Sequence, residues 1–351
     1  MLLRIACIFT LISYASNAAA QEIVGCAPSQ GVEVICGLTK PEDIAALTDT
    51  DWLLVSELGD AATPGNIVAY NTSDGTLLRL KARDDSAASD PARVCGPMPE
   101  RLRPRGFHVR MTGEGQYDVL LINVMGGQRI ENYVVTLSDG DPALAWRGCV
   151  AVPDKFNVND VAPLPGGGFV VSHMYDEPRT WLTTLKFIFH VDTGYAVSWR
   201  PGAEWVKVDG SDVTFANGIE VNPDTGEIYL AGTYGEELVA IDPSKNRVRR
   251  VSMPIQPDNL TWQTNGKILA VGHTGIPIWG TRKCRALAGK PCSFDFAVIQ
   301  IDPRSLSRKV LFADRRGAIP GPSVALGHDD AIYLGTVFGD RISRIYMQGM
   351  K

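Results

Sequence analysis

Three features of the sequence predict an all-β chain folded as a six-bladed β-propeller. One hairpin-bearing unit recurs along it. The turn formers Gly and Pro are abundant, 35 and 22 of 351 residues, without a collagen period or a low-complexity tract. Helical periodicity is poor everywhere beyond the first twenty residues.

The recurring unit is a polar pair, an apolar strand, a turn rich in Gly, Asp or Asn, a second apolar strand, and a closing polar or aromatic residue. Its copies begin PEDIAALTDTDWLLVSELG at Pro41, PRGFHVRMTGEGQYDVLLINVM at Pro104 and NDVAPLPGGGFVVSHMY at Asn159. They continue as NGIEVNPDTGEIYLAGTY at Asn217, DNLTWQTNGKILAVGHTG at Asp258 and PSVALGHDDAIYLGTVF at Pro322, at intervals of roughly 40 to 65 residues. The turns TDTD, TGEG, PGGG, PDTG, QTNG and GHDD carry the residues that tight hairpins need. The flanking strands are mostly apolar, as in sheets covered on both faces. Each interval leaves room for two more strands, so every unit predicts one four-stranded blade.

Residues 1–20 read as a secretory signal: Arg4 supplies the positive end, residues 5–12 the apolar stretch, and Ala18, Ala19 and Ala20 a small-residue cleavage site. Residues 21–351 are then expected to form one propeller domain, secreted or periplasmic, with no transmembrane segment. Charged residues are 21% of the chain, the net charge is −5 and there is no Lys/Arg block, which excludes a phosphate-backbone footprint for nucleic acid. Beyond the signal stand Cys26, Cys36, Cys95, Cys149, Cys284 and Cys292. An even number in an oxidising compartment points to disulfides. The spacings favour sequential pairing, Cys26–Cys36, Cys95–Cys149 and Cys284–Cys292.

In a propeller the polar pair of each unit and the end of its second strand converge on one mouth of the central channel. The first set is Glu42/Asp43, Arg105, Asn159/Asp160, Asn217, Asp258/Asn259 and Ser323; the second is Glu57, Met125, Ser172/His173, Tyr234, His273 and Phe338. Glu42, Asn159, Asn217, Asp258 and Asn259 are hard oxygen donors without thiolates or clustered imidazoles, a set that suits Ca²⁺ over zinc or copper. Glu57, Met125, His173, Phe215, Tyr234, Ser323 and Phe338 are candidates for the wall that a small-molecule substrate would touch.

FNVNDVAPL, FANGIEVNPDTGEIYLAG, PDNLTW followed by VGH, and LGTVFGDRI together resemble the serum paraoxonase/arylesterase family. A looser resemblance links them to the senescence marker protein/gluconolactonase group. The resemblance covers most of the chain and implies a six-bladed propeller with a catalytic calcium on Glu42, Asn159, Asn217, Asp258 and Asn259. It also implies a second, structural calcium on Asp43 and Asp160. Two departures stand out: the family's histidine dyad aligns with Met125 and Val152, and its carboxyl-terminal cysteine is missing.

The expectation is therefore a calcium-dependent lactonase or arylesterase-type hydrolase. The cation polarises the carbonyl and water attacks, with Asp258 or His273 as the base. Two other readings stay open: a non-hydrolytic enzyme on this scaffold, such as an isomerase or a strictosidine-synthase-like enzyme, and a non-catalytic binding propeller whose calcium locks the blades. Residues 274–294, carrying Trp279 and Arg282, form an insertion at the same mouth that reads as a lid or a plain surface hairpin. WLTTLKFIF, from Trp181, reads as an outer strand or an apolar patch for a membrane or partner.

Overall fold

Each of the six recurring hairpins grows into one antiparallel sheet. The computed structural model describes residues 21–347 apart from 24, 29–30, 61–62, 89–94, 276–283, 285–289, 316 and 318. The expected signal, and Trp279 and Arg282 of the insertion, lie outside the described residues. Blade 1 contains Pro41–Ala46, Trp52–Glu57, Asn66–Asn71 and Leu77–Leu80. Blade 2 contains Pro104–Gly113, Gln116–Asn123, Arg129–Ser138 and Asp141–Ala151, with Arg83–Asp84 added in parallel at its outer edge. Blade 3 contains Val158–Pro163, Phe169–His173, Tyr195–Trp199 and Val206–Lys207.

Blade 4 contains Ala216–Val221, Ile228–Gly232, Glu237–Asp242 and Arg247–Ser252, and blade 5 Gln256–Trp262, Ile268–His273, Phe296–Ile301 and Arg308–Asp314. Blade 6 combines Val324–His328, Ala331–Gly335 and Arg341–Tyr346 with Val32–Cys36 from the other end of the sequence. This outermost strand closes the ring in antiparallel register, Val32 opposite Ile345 and Cys36 opposite Arg341. All three expected disulfides are formed, Cys26–Cys36, Cys95–Cys149 and Cys284–Cys292.

The apolar runs are two-sided because every sheet packs against both neighbours. Leu54 and Ile67 of blade 1 meet Val119, Leu121 and Trp146 of blade 2 in one cluster; Ala162 and Val170 of blade 3 meet Ile219 and Leu230 of blade 4 in another. Burial of these faces is the main force holding the ring. The PGGG turn of blade 3 shows why glycine is needed: Gly168 has φ +80°, and a Cβ there would run into the Trp199 carbonyl.

One expectation is corrected. WLTTLKFIF is not a strand: Trp181–Ile188 is an α-helix, α1, between the second and third strands of blade 3. Thr180 caps it, its hydroxyl accepting from the Thr183 N–H while the Thr183 hydroxyl accepts from the Thr180 N–H. Only Phe187 is buried in α1; Trp181, Leu182 and Ile188 are exposed, which is why apolarity alone misread the segment. Among the described residues no helix is long and apolar enough to cross a membrane.

The polar pairs lie within the first strands, at an irregularity of register repeated in blades 1 to 5 (Pro41/Asp43, Pro104/Phe107, Val158/Val161, Ala216/Ile219 and Pro257/Leu260). The second residue of the pair joins neighbouring blades. Asp43 accepts from Ile44 N–H of its own strand at 2.9 Å and from Phe107 N–H of blade 2 at 3.1 Å. Asp160 repeats this with Val161 at 2.8 Å and Ile219 of blade 4 at 2.8 Å. Blades 2 and 4 carry glycine at the matching position; a Cβ on Gly218 would lie 2.6 Å from the Asp258 carbonyl. Asn259 N–H donates to Ser323 O at 2.9 Å, and Ser323 Oγ donates to Glu42 O at 2.5 Å, which continues the ring back to blade 1.

Asp160→Ala would leave two buried N–H groups unpaired across this joint. A loss of about 3 kcal/mol is expected, read as a lower urea midpoint; an unchanged midpoint would show that the clasp contributes nothing.

Candidate functional site

The first residue of the pairs, joined by Asn259 from the second position of blade 5, brings the site's chemistry to one channel mouth. Glu42 (4% exposed), Asn217 (4%) and Asn259 (1%) are buried there, while Asn159 and Asp258 are half-buried. In Asn217 and Asn159 the hydrogen bonding is one-sided, whereas neither amide atom of Asn259 has a hydrogen-bond partner. Asn217 Nδ2 donates to Thr233 Oγ1 at 3.0 Å, and Thr233 Oγ1 donates to Pro257 O at 2.7 Å. Asn159 Nδ2 faces the Met174 sulfur at 3.5 Å. The nitrogen side of both amides is thus tied to protein.

The oxygens have no such partner. Asn159 Oδ1, Asn217 Oδ1, Asn259 Oδ1 and Glu42 Oε2 are buried with no hydrogen-bond donor. Buried acceptors left this way cost stability unless something electropositive meets them. Among the described residues no three His, Cys, Asp or Glu side chains gather as a cation-binding group. The oxygen set here is instead mixed, carboxylates with amides, and hard divalent cations accept both. The donors therefore fit the cation that the resemblance implies.

The electrostatics agree. Burial, followed by the charges of Asp43, Asp258 and Asp160, raises the Glu42 carboxyl well above the ordinary carboxylate range. Burial pushes Asp258 up to about 7, the Asn217 hydrogen bond working against the rise and the Asp43 charge adding to it. Burial likewise takes Asp43 to about 7 and Asp160 well above its ordinary value. The mouth is short of positive charge for its carboxylates. Asp43 and Asp160, however, already use each carboxylate oxygen on a backbone N–H, so the orphaned acceptors of the mouth belong to Glu42, Asn159, Asn217 and Asn259.

His273 is 9% exposed, its Nδ1 buried without a hydrogen-bond partner and its ring 4.0 Å from that of Phe294. Burial lowers it to about 3, so it stays neutral at physiological pH. Phe338 completes this wall, 5.0 Å from Phe294. A second aromatic wall joins Phe215, Tyr234, Tyr175 and Phe187 of α1. Phe215 sits in left-handed backbone, φ +65°, two residues before Asn217. Strain of that kind needs a surrounding that enforces it, here the Thr193 hydroxyl accepting the Phe215 N–H at 3.1 Å.

Three other predicted wall residues, Glu57, His173 and Ser323, spend their side-chain polar groups on protein partners. Glu57 is clasped by Arg79 at 2.8 Å, by Asn66 Nδ2 at 2.7 Å and by Thr39 N–H at 2.7 Å. His173 is fully buried: Nδ1 accepts from Asn157 N–H at 3.1 Å and Nε2 meets Asp176 Oδ1 at 3.0 Å. Burial lowers its pKa. Ser323 holds the Glu42 carbonyl, and Met125 is half-buried with its N–H on Asn123 Oδ1 at 3.1 Å. Val152, aligned with one dyad position, packs in the core between blades with Ile122 and Phe156.

The blade-2 residue standing where Glu42, Asn159, Asn217 and Asp258 stand is Arg105, which the sequence placed on the rim without a role. Thr233 was missed as well; its signal was its place one residue after the second strand of blade 4.

The opposite end of the channel holds a cavity of about 990 Å³ lined by Asp43, Asp160, Glu220, His108, Gln263 and Lys309 among others. His108 Nδ1 lies 3.5 Å from Glu220 Oε2. Burial, with Arg110 adding to it, lowers His108 to about 4, and burial raises Glu220 well above its ordinary value. Asp43 and Asp160 line this cavity and lie next in sequence to the donors Glu42 and Asn159 at the mouth.

No family model and no curated protein matches the chain. Solved structures do, as folds. A luciferin-regenerating enzyme superposes with TM-score 0.54 at 15% identity, over 91% of this chain and 95% of that one. A putative gluconolactonase gives 0.52 at 14% identity, over 92% and 93%. A gluconolactonase from Xanthomonas campestris gives 0.51 at 13% identity, over 90% and 89%. These similarities establish the six-bladed architecture. The paraoxonase resemblance is not specifically supported by them.

Proposed function

We propose that the protein is a secreted or periplasmic calcium-dependent hydrolase of a lactone or ester. The observation that carries this reading is the set of four buried oxygens, on Glu42, Asn159, Asn217 and Asn259, that no protein donor satisfies. Asp258 completes the set. The gluconolactonases among the structural neighbours support the reaction class, and the three disulfides support an oxidising compartment.

A divalent cation bound by these oxygens supplies Lewis-acid polarisation of the substrate carbonyl. The chain's residues do the rest. Asp258, half-buried at the edge of the donor set, accepts the proton of the attacking water. His273, held near 3, is too weak a base for this and serves as a neutral wall group whose unpartnered Nδ1 can meet a substrate polar atom. The water oxygen adds to the carbonyl carbon, the carbon–oxygen bond to the leaving group breaks, and the alkoxide takes the proton that Asp258 received. Phe294, Phe338, Phe215 and Tyr234 enclose the reacting group and exclude bulk water.

The test is turnover of a panel of lactones and aryl esters before and after EDTA. Activity lost in EDTA and regained with calcium, in a protein folded throughout, is the expected result. No turnover by calcium-loaded protein would overturn hydrolysis and leave a binding propeller.

A further inference from the structure

Arg105 is the odd member of the rim. Blades 1, 3, 4 and 5 offer an oxygen at this position, whereas blade 2 offers a guanidinium. The side chain is held in place: Nη1 donates to Asn157 Oδ1 at 2.9 Å and to Val158 O at 2.8 Å. Asn157 is itself fixed, its Nδ2 donating to Glu177 Oε1 at 2.6 Å and its N–H to His173 Nδ1 at 3.1 Å. The buried His173 therefore acts as a strut for this arm. Arg105 forms no ion pair among the described residues, and its Nε and Nη2 have no protein acceptor there. Glu42, Tyr175 and Glu177 are its electrostatic neighbours.

The free edge is open to an anion from outside the chain. In the proposed site Glu42 and Asp258 are committed to the cation, and the charges of Glu42 and Glu177 act on Arg105 without closing an ion pair. Arg179 lies on the same side, over the Phe187 ring at 5.1 Å and the Tyr175 ring at 5.9 Å. A fixed, partly desolvated guanidinium with one edge open matches the geometry of a carboxylate. We infer that Arg105 is the specificity-determining residue of the mouth and that the substrate is a lactone or ester bearing a free carboxylate. The inference rests on the hydrolase reading for the reaction and on the structure of the rim for the anion.

The experiment compares γ-carboxy-γ-butyrolactone with neutral γ-valerolactone in wild type, Arg105→Met and Arg105→Lys, with binding of the unreactive dicarboxylate glutarate followed by calorimetry. Wild type should prefer the carboxylate lactone. Arg105→Met should lose about 100-fold in kcat/KM on it, mostly through KM, and less than about threefold on the neutral one. Arg105→Lys should recover part of the preference. The ratio of the two lactones within each variant is independent of how much protein is folded, and absence of the preference in wild type would overturn the inference whatever the variants do. If wild type turns over neither lactone, hydrolysis fails separately. Glutarate bound by wild type and lost in Arg105→Met then sustains the anion site, whereas glutarate bound equally by both, or by neither, overturns it.

Discussion

Asn217→Ala is expected to leave the ring folded and to lower kcat/KM about 1,000-fold, with calcium affinity falling in parallel. The magnitude follows from losing one preorganised donor from an electrostatic site. Asn217 is chosen because its amide has a fixed sense: the donor chain through Thr233 to Pro257 O holds Nδ2, so Oδ1 faces the mouth. Alanine removes that oxygen but leaves Thr233 bonded to Pro257, which limits the structural cost to about 1 kcal/mol. Thr233→Val touches no cation and should still weaken calcium about tenfold, because it frees the amide to turn. Calcium titration by calorimetry reads both variants. Wild-type affinity and turnover in Asn217→Ala would remove this residue from the site.

The second large effect is on stability against pH. In the calcium-free protein Asp43 and Asp258 titrate near 7, and Glu42 and Asp160 lie well above their ordinary values, all chiefly through burial. Between about 4 and 7 the folded chain therefore holds protons that the unfolded chain has released, and stability must fall as pH rises through that window. Calcium opposes this loss by replacing the protons of Glu42 and Asp258 with a cation. The calcium-free melting temperature should drop by about 5 °C or more from pH 5 to pH 8. Calcium at one hundred times its dissociation constant should restore about 5 °C at pH 8 and much less at pH 5. A melting temperature indifferent to both pH and calcium would show that these carboxylates are not gathered as described.

The blades were legible because their signals are local. Hairpin turns such as PDTG and QTNG name themselves, and six of them along one chain point to six blades. The cysteine pairs were legible for the same reason, each lying close in sequence or flanking one blade. Glu42, Asn159, Asn217 and Asp258 could be gathered as candidate donors because they share one position in the repeat, and Asn259 because it follows Asp258.

What escaped was set by distant neighbours. Nothing within blade 1 shows that Glu57 is clasped by Arg79, and nothing around His173 shows that Asn157 will take its Nδ1. The helix at Trp181 was hidden because its capping box uses threonine in place of glutamate and its exposed face is as apolar as its buried one. Arg105 was visible as a residue but not as a function; its meaning depends on four other blades offering oxygen where it offers nitrogen.

The seam of the ring carries one more consequence. Val32 lies opposite Ile345 and Cys36 opposite Arg341. Tension between the two ends of the chain, acting on a reduced protein, would load this strand pair at one edge and peel its hydrogen bonds off one at a time. With Cys26 joined to Cys36, the pull from the amino-terminal side arrives instead at the far edge of the strand, while the opposing pull acts at Tyr346. The same ladder is then loaded in shear, all its bonds at once. A ten-residue covalent loop thus decides whether the ring opens as a zipper or resists as a lap joint.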